Sequence, residues 1–346
     1  MSHLSSETDL IPDDLRSCIE IPGQSGFEKA IREYLTDKLT PFGEIQFDKL
    51  GSIICRIKGL EREKSKWLVA AHMDTCGFIV HSIMANGHVK CVNFGYRDTK
   101  ALHLHPVAIS TSNGLVHGVM NAKTVDQKSN FEIDIGNSRS AKETEDLEIK
   151  PGDPIHFTNE PALLGKSTDL VLCAPRLDNR FGIFGLITLA RQLAAERPPN
   201  DTYLVGTVEE EVGGRGAQTA ARKIRPDGAL VLDVTYDESP VHLGKGPVLT
   251  LSDKSSLVPP HVRDYLLTLG KDSGINLQTE VWNIGGTDAG PVRTVGEGVP
   301  TLSILCATRN NHTPSEIGCI KDCFDTVSFC RAILEQGEEL LTKWLP

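Results

Sequence analysis

The sequence carries too little positive charge to suit a polyanion binder. Its 36 Lys and Arg stand against 46 Asp and Glu among 346 residues, a formal charge of −10. Nucleic acid and anionic membrane both demand a basic footprint, so neither is expected as a main partner. Long hydrophobic runs are missing as well. The most apolar window, Phe181–Ala190, is ten residues long, about half of what a membrane span needs, and reads as a core helix. The opening stretch Met1–Ser17 has no basic n-region and no apolar h-region, so no signal peptide is expected. The nine cysteines are odd in number and include no CxxC. That argues against a disulfide framework and fits reduced, buried thiols in a cytoplasmic protein. Cys319, Cys323 and Cys330 lack the further Cys or His of a zinc ribbon. No internal repeat or low-complexity tract is visible.

What is present is ordinary for a globular chain: 39% apolar and 24% charged residues, close to average usage. At roughly 150 residues per domain the length predicts two domains, or one large domain with an insertion. Such a chain buries roughly three quarters of its unfolded surface and needs no structural staple.

Patterning divides the chain. Ser25-Gly26-Phe27-Glu28 has the spacing of a capping box, and Ile31, Leu35 and Leu39 recur at helical period behind it. Ile45–Phe47 and Ser52–Ile57 are expected to form a hairpin, and Trp67–Ala71 a buried strand. From about residue 78 to 168, short alternating segments (His88–Val92, Val107–Thr111, Leu115–Met120) are punctuated by Asn86-Gly87 and Asn113-Gly114, both hairpin signals. That span is expected to be all-β. Beyond it, helices over 178–195, 214–224, 260–270, 287–294 and 321–344 alternate with strands Leu170–Ala174, Tyr203–Val208, Ala229–Leu232 and Thr301–Leu305. Alternation of this kind predicts an α/β domain, a central sheet flanked by helices, made of residues 1–77 and 169–346 and interrupted by a β insertion.

His72 and Asp74, Asp178, the run Glu209-Glu210-Glu211, Asp233, and His312 each lie where an apolar strand gives way to a loop or helix. In open α/β sheets, ligands bind beyond the carboxyl ends of the strands. Each residue alone could be an N-cap, a solvated carboxylate or a core histidine. Gathered in one crevice, they would repel one another unless cations sat among them. Mixed His and carboxylate donors suit zinc, cobalt or manganese.

Six stretches, in this order, carry a resemblance: Ala71-His72-Met73-Asp74 with Gly77-Phe78, Arg176-Leu177-Asp178-Asn179-Arg180, Thr207 through Gly213, Val231-Leu232-Asp233-Val234-Thr235, Gly285-Gly286-Thr287-Asp288-Ala289-Gly290, and Thr308-Arg309 with His312-Thr313-Pro314-Ser315-Glu316. Together they resemble the M42 family of dinuclear metallo-aminopeptidases. The resemblance implies two divalent metal ions per subunit, one held by His72, Asp178 and Asp233 and the other by Asp178, Glu211 and His312, with Asp178 bridging. It implies Glu210 as general base and Asp74 as the carboxylate orienting the His72 imidazole, and leaves Glu209 as a solvated neighbour. It also implies a peptide substrate, a zinc-peptidase-like catalytic domain with a small PDZ-like insertion at 78–168, and homo-oligomers built on dimers, up to a dodecamer. Gly286, Thr287 and Asp288, on a Gly-rich turn that precedes a helix, are expected in the substrate pocket, as is Arg309.

Two features depart from the family pattern. Asn310-Asn311 stand where an aromatic and an aliphatic residue are usual, and the insertion is shortened around Lys123–Asn130 without a Pro-Pro-His stretch. Three alternatives to an aminopeptidase remain open at this stage. One is a metal-dependent deacylase or amidohydrolase on the same scaffold. A second is an endoglucanase-type glycoside hydrolase using two carboxylates roughly 5–10 Å apart, which leaves His72 and His312 without a task. The third is a metal-free scaffold. His81, His88, His103 and His105 alternate within the insertion and are expected to be structural.

Overall fold

The computed structural model describes residues 10–61, 64–95, 99–125 and 128–344. The first nine residues of the opening stretch, and positions 126–127 of the shortened Lys123–Asn130 stretch, lie outside the described residues.

Among the described residues, two sheets organise the chain. The larger has eleven strands around a parallel centre ordered Asp201–Thr207, Lys66–His72, Gly228–Tyr236, Thr301–Arg309. Lys66–His72 is buried at every position but its first, as a strand covered on both faces must be, and its sequence is correspondingly apolar without alternation. The hairpin Glu44–Phe47 with Ile53–Ile57 extends one side, in antiparallel register from Phe47 opposite Ile53. Glu316–Cys319, Val171–Ala174 and Ala162–Leu163 extend the other side. Val248–Ser252 pairs with Thr301–Arg309 and carries Gln278–Val281 beyond it.

The helix Leu177–Ala195 is buried almost all round, so no amphipathic stripe shows in its sequence. It packs against the central strands on one side and against Ile320–Glu335 and Asp13–Glu20 on the other. Gly182 permits its close approach: a Cβ there would lie 2.8 Å from the Ala71 side chain. On the opposite face of the sheet, Arg215–Ile224 buries Ala217, Ala220, Ala221 and Ile224.

The smaller sheet is a closed barrel of six strands, Gly77–Ile83, Val89–Phe94, Lys128–Asp134, Gly114–Val125, Pro106–Thr111 and Pro154–Phe157. Closure removes free sheet edges. Its core gathers Phe78, Val107, Ile109, Met120, Phe131 and Phe157, with Phe78 edge-on to Phe131 at 5.1 Å. Both Asn-Gly turns join antiparallel neighbours, and Gly87 and Gly114 take the positive φ that the turns require.

Several expectations need correction. The barrel region also holds two short helices, Thr99–Leu102 and Ala141–Glu145, too brief to show a periodicity. Ser25 and Glu28 do not form a capping box. Ser25 Oγ donates to Asp74 Oδ2 (2.7 Å), while Glu28 Oε1 accepts from Gly26 N (2.9 Å) and Glu209 N (3.2 Å). The helix expected over 321–344 is two, Ile320–Glu335 and Gly337–Trp344. Asn200 Nδ2 takes the Leu334 carbonyl at the break, and Gly337 lies so close to Trp67 that a Cβ would come within 2.5 Å of its Nε1. Strands Gly228–Tyr236 and Thr301–Arg309 run several residues past their expected ends, because Asp233–Tyr236 keeps pairing with Leu305–Thr308.

Candidate metal centre

The carboxyl ends of the four parallel strands converge on one crevice. His72 ends its strand, and the Glu209-Glu210-Glu211 turn follows Asp201–Thr207. Asp233 sits within Gly228–Tyr236, and His312 lies in the loop between Thr301–Arg309 and Glu316–Cys319. Asp178 comes from the start of Leu177–Ala195, where the backbone is still extended (φ −80°, ψ 103°) and the Asp178–Asn179 peptide is cis.

Asp178 stands between the two imidazoles. Its Oδ1 lies 3.1 Å from His72 Nε2, and its Oδ2 lies 3.1 Å from His312 Nε2. Asp233 Oδ1 is 3.5 Å from His72 Nε2, and Glu211 Oε2 is 3.6 Å from His312 Nε2. His72, Asp178 and Asp233 offer donor atoms all within 4.8 Å of one another, and so do Cys76, Glu211 and His312.

This donor set fits divalent cations. His72 Nδ1 has the main-chain carbonyl of Asp74 at 2.9 Å. A carbonyl only accepts, which assigns the ring proton to Nδ1 and turns the bare Nε2 toward Asp178 and Asp233. A lone pair facing carboxylate oxygens is repulsive unless a cation or a proton lies between them. Protonation directions report the same field. Burial depresses the His72 imidazole, yet Asp233, Asp178 and Asp74 hold it well above its usual value. For His312, Asp178 likewise overcomes burial and lifts it to about 10. Burial, with Asp178 beside it, raises Glu211 to about 7, and burial raises Asp233 and Glu210.

Asp74 also reaches beyond the His72 imidazole. Its carboxylate lies 3.6 Å from His72 Nδ1, farther than its own main-chain carbonyl. It accepts from the backbone N–H groups of Glu210 (2.9 Å) and Glu211 (3.1 Å), and so fixes the glutamate turn. Glu209 pairs outward with Arg215 at 3.0 Å. Three residues escaped the sequence reading of the site. Glu316 is buried; its Oε2 accepts from Asp178 N (2.9 Å) and its Oε1 from His312 N (2.8 Å). Cys76 N and Sγ both lie 3.1 Å from Glu211 Oε1. Arg180, fully buried, donates to the carbonyls of Cys18, Ile21 and Met73 and clasps the residue next to His72. Glu316 and Arg180 lie inside the quoted motifs, so a search for long-range partners could have reached them. Cys76 gave no signal.

The cluster opens into a cavity of about 470 Å³ lined also by Glu210, Gly286 and Thr287. Two expected pocket residues stand elsewhere. The buried Asp288 carboxylate does not line the cavity; its Oδ2 accepts from Thr207 Oγ1 at 2.5 Å, and burial raises it to about 7. Arg309 is drawn to Asp237 at 3.3 Å. Asn311 lines the cavity, whereas Asn310 does not, its amide donating to the Ser315 carbonyl. Among the described residues, the histidines of the barrel form no metal-binding group; His105 packs edge-on against Phe157.

A family model described as M42 glutamyl aminopeptidase matches residues 51–329. The lysyl aminopeptidase of Pyrococcus furiosus is 30% identical over 344 residues, covering 93% of this chain and 96% of that protein. The crystal structure of the TET aminopeptidase from the marine sediment archaeon Thaumarchaeota archaeon SCGC AB-539-E09 superposes with a TM-score of 0.89 at 28% identity, covering 98% of this chain and all of that one. Pyrococcus horikoshii TET1 peptidase, described as able to assemble into a tetrahedron or a large octahedral shell, gives 0.83 at 27% identity over 95% of this chain and 99% of that one.

Proposed function

The chain belongs to the M42 glutamyl aminopeptidase family, and from that premise we propose that His72, Asp178, Glu211, Asp233 and His312 hold two divalent metal ions, zinc or cobalt first and manganese as a further option. It is a metal-dependent aminopeptidase that hydrolyses peptide bonds. The observation that carries the reading is the Asp178 carboxylate, which presents one oxygen to each imidazole at 3.1 Å. When bound, the ions would lower the pKa of a water to about 7 and polarise the scissile carbonyl.

The remaining steps fall to the chain's own groups. Glu210 lines the cavity, and the Asp74 carboxylate holds its backbone N–H. Its carboxylate takes a proton from the attacking water as oxygen bonds to the carbonyl carbon, and returns it to the amine nitrogen as the C–N bond breaks. Adjacent glutamates on an irregular turn divide the labour, because Glu211 faces His312 while Glu210 faces the cavity. Gly286 and Thr287 border the bound peptide. A glycosidase is not favoured, since a pair of carboxylates would give the two imidazoles no part.

The barrel of the 78–168 segment is proposed as the PDZ-like insertion through which copies assemble, dimer-based and up to a dodecamer, with 1–77 and 169–346 as the catalytic domain. Leu104, Leu115 and Val119 are exposed on the barrel, and the Pyrococcus horikoshii relative assembles into shells.

The test compares three variants side by side. Glu210→Gln should keep its metal content and lose about 10²–10⁴ in kcat with KM little changed. Glu211→Gln should lose metal, and added ion should partly restore it, because an amide oxygen is a poorer ligand than a carboxylate. Glu209→Gln should change little. If Glu210→Gln lost metal while Glu211→Gln kept it, the roles along the triplet would be overturned.

A further inference from the structure

One wall of the cavity carries three carboxylates that the reaction does not use: Glu238, Asp253 and Glu280. Glu280 is buried at 7% exposure, and its head is fixed by two hydroxyls. Thr250 Oγ1 donates to Oε1 and Thr235 Oγ1 to Oε2, both at 2.7 Å. Asp253 Oδ1 accepts from Ser255 N, Ser255 Oγ and Ser256 N, while its Oδ2 is buried without a hydrogen-bond partner among the described residues. Beside these carboxylates the lining carries Lys254, which is exposed. Among the described residues none of these four groups is in an ion pair. A concave wall of uncompensated carboxylates selects for positive charge.

Strand geometry relates this wall to the metal cluster. Thr235 follows Asp233 by two residues on Gly228–Tyr236, so both side chains leave the same face of the sheet about 7 Å apart. A side chain whose Cα is held near the cluster would therefore need a stem of several carbons to reach the Glu280 head. Lysine and arginine have such a stem, apolar along its length and charged at its tip. Beside it, Tyr236 and Trp282 stack with ring centroids 5.7 Å apart, a surface that favours cations over neutral groups.

We propose that this wall is the side-chain pocket for the substrate's N-terminal residue, and that it selects lysine and arginine over neutral and acidic residues. The inference rests on the aminopeptidase reading of the metal cluster.

The experiment measures kcat/KM of the metal-loaded enzyme on the p-nitroanilides of lysine, arginine, methionine and glutamate at low and high salt. Lysine and arginine should exceed methionine about tenfold or more, with glutamate the poorest, and added salt should shrink the lysine-to-methionine ratio. Glu280→Gln and Asp253→Asn should each lower that ratio by about tenfold, chiefly through KM. If Glu280→Gln fails to fold, Asp253→Asn and the salt series still decide. A ratio at or below one, or one indifferent to salt and to substitution, overturns the inference while chelator-sensitive cleavage of methionine or glutamate p-nitroanilide leaves the aminopeptidase reading intact. Failure to cleave any of the four brings down both.

Discussion

Glu316 shows how one buried side chain can set two metal-binding positions at once. Its two carboxylate oxygens hold the backbone N–H groups of Asp178 and His312, and burial with Asp178 nearby raises it to about 8. In Glu316→Gln only one oxygen remains to accept, and the amide nitrogen meets the other N–H. One buried donor is then unpartnered, at a cost of about 1–3 kcal/mol in stability. Ligands released from their support typically lose 10–100-fold in metal affinity. Denaturant unfolding and competition with a chelator of known affinity check the two parts, and unchanged affinity would contradict the role. The proposed ligands themselves could be picked out from sequence, because His72, Asp178, Glu211, Asp233 and His312 each stand at or shortly after an apolar run. Their supports could not. Glu316 meets Asp178 across 138 positions and Arg180 meets Cys18 across 162, and both act on backbone atoms that carry no sequence signal. Asp74 stands out in sequence only through its nearness to His72, which hides its contacts with the glutamate turn.

At the scale of elements, legibility followed residue type. The two-sided buried strand Lys66–His72, the all-round buried helix Leu177–Ala195 and the Asn-Gly hairpins all announce themselves in residue type. Val248–Ser252 and Gln278–Val281 were missed because they are short and partly exposed, and the break at Gln336 depends on Trp67, far away in the chain. The barrel strand Pro154–Phe157 carries its own testable feature. Burial, with Arg176 nearby, lowers His156 to about 4 from an ordinary 6.5, and its Nδ1 has no hydrogen-bond partner among the described residues. The unfolded chain therefore binds a proton between these values that the folded barrel refuses. Stability from the neutral imidazole is fully present above pH 6.5 and lost as pH falls toward 4. Between pH 7.5 and 5 the loss should be about 1–2 kcal/mol once partial solvent exposure is allowed for. Urea unfolding at both pH values should show a smaller loss for His156→Gln, and equal losses would refute the assignment.

Across the whole molecule, the parallel strand order brings residues as distant as His72 and His312 to one crevice, while the barrel inserts between them in sequence without interrupting the sheet. No helix among the described residues is long and apolar enough to cross a membrane. The central claim is that the cluster around Asp178 hydrolyses the first peptide bond of substrates with a free amino group, and does so only with divalent metal. Its most direct test is the rate on lysine and methionine p-nitroanilides and their N-acetylated forms, before chelation, after it, and after reloading with zinc, cobalt or manganese. Chelation should abolish cleavage of the free-amine substrates, reloading with at least one ion should restore it, and the acetylated forms should resist throughout. Cleavage that survives complete removal of metal, or that proceeds equally on acetylated substrates, would contradict the account.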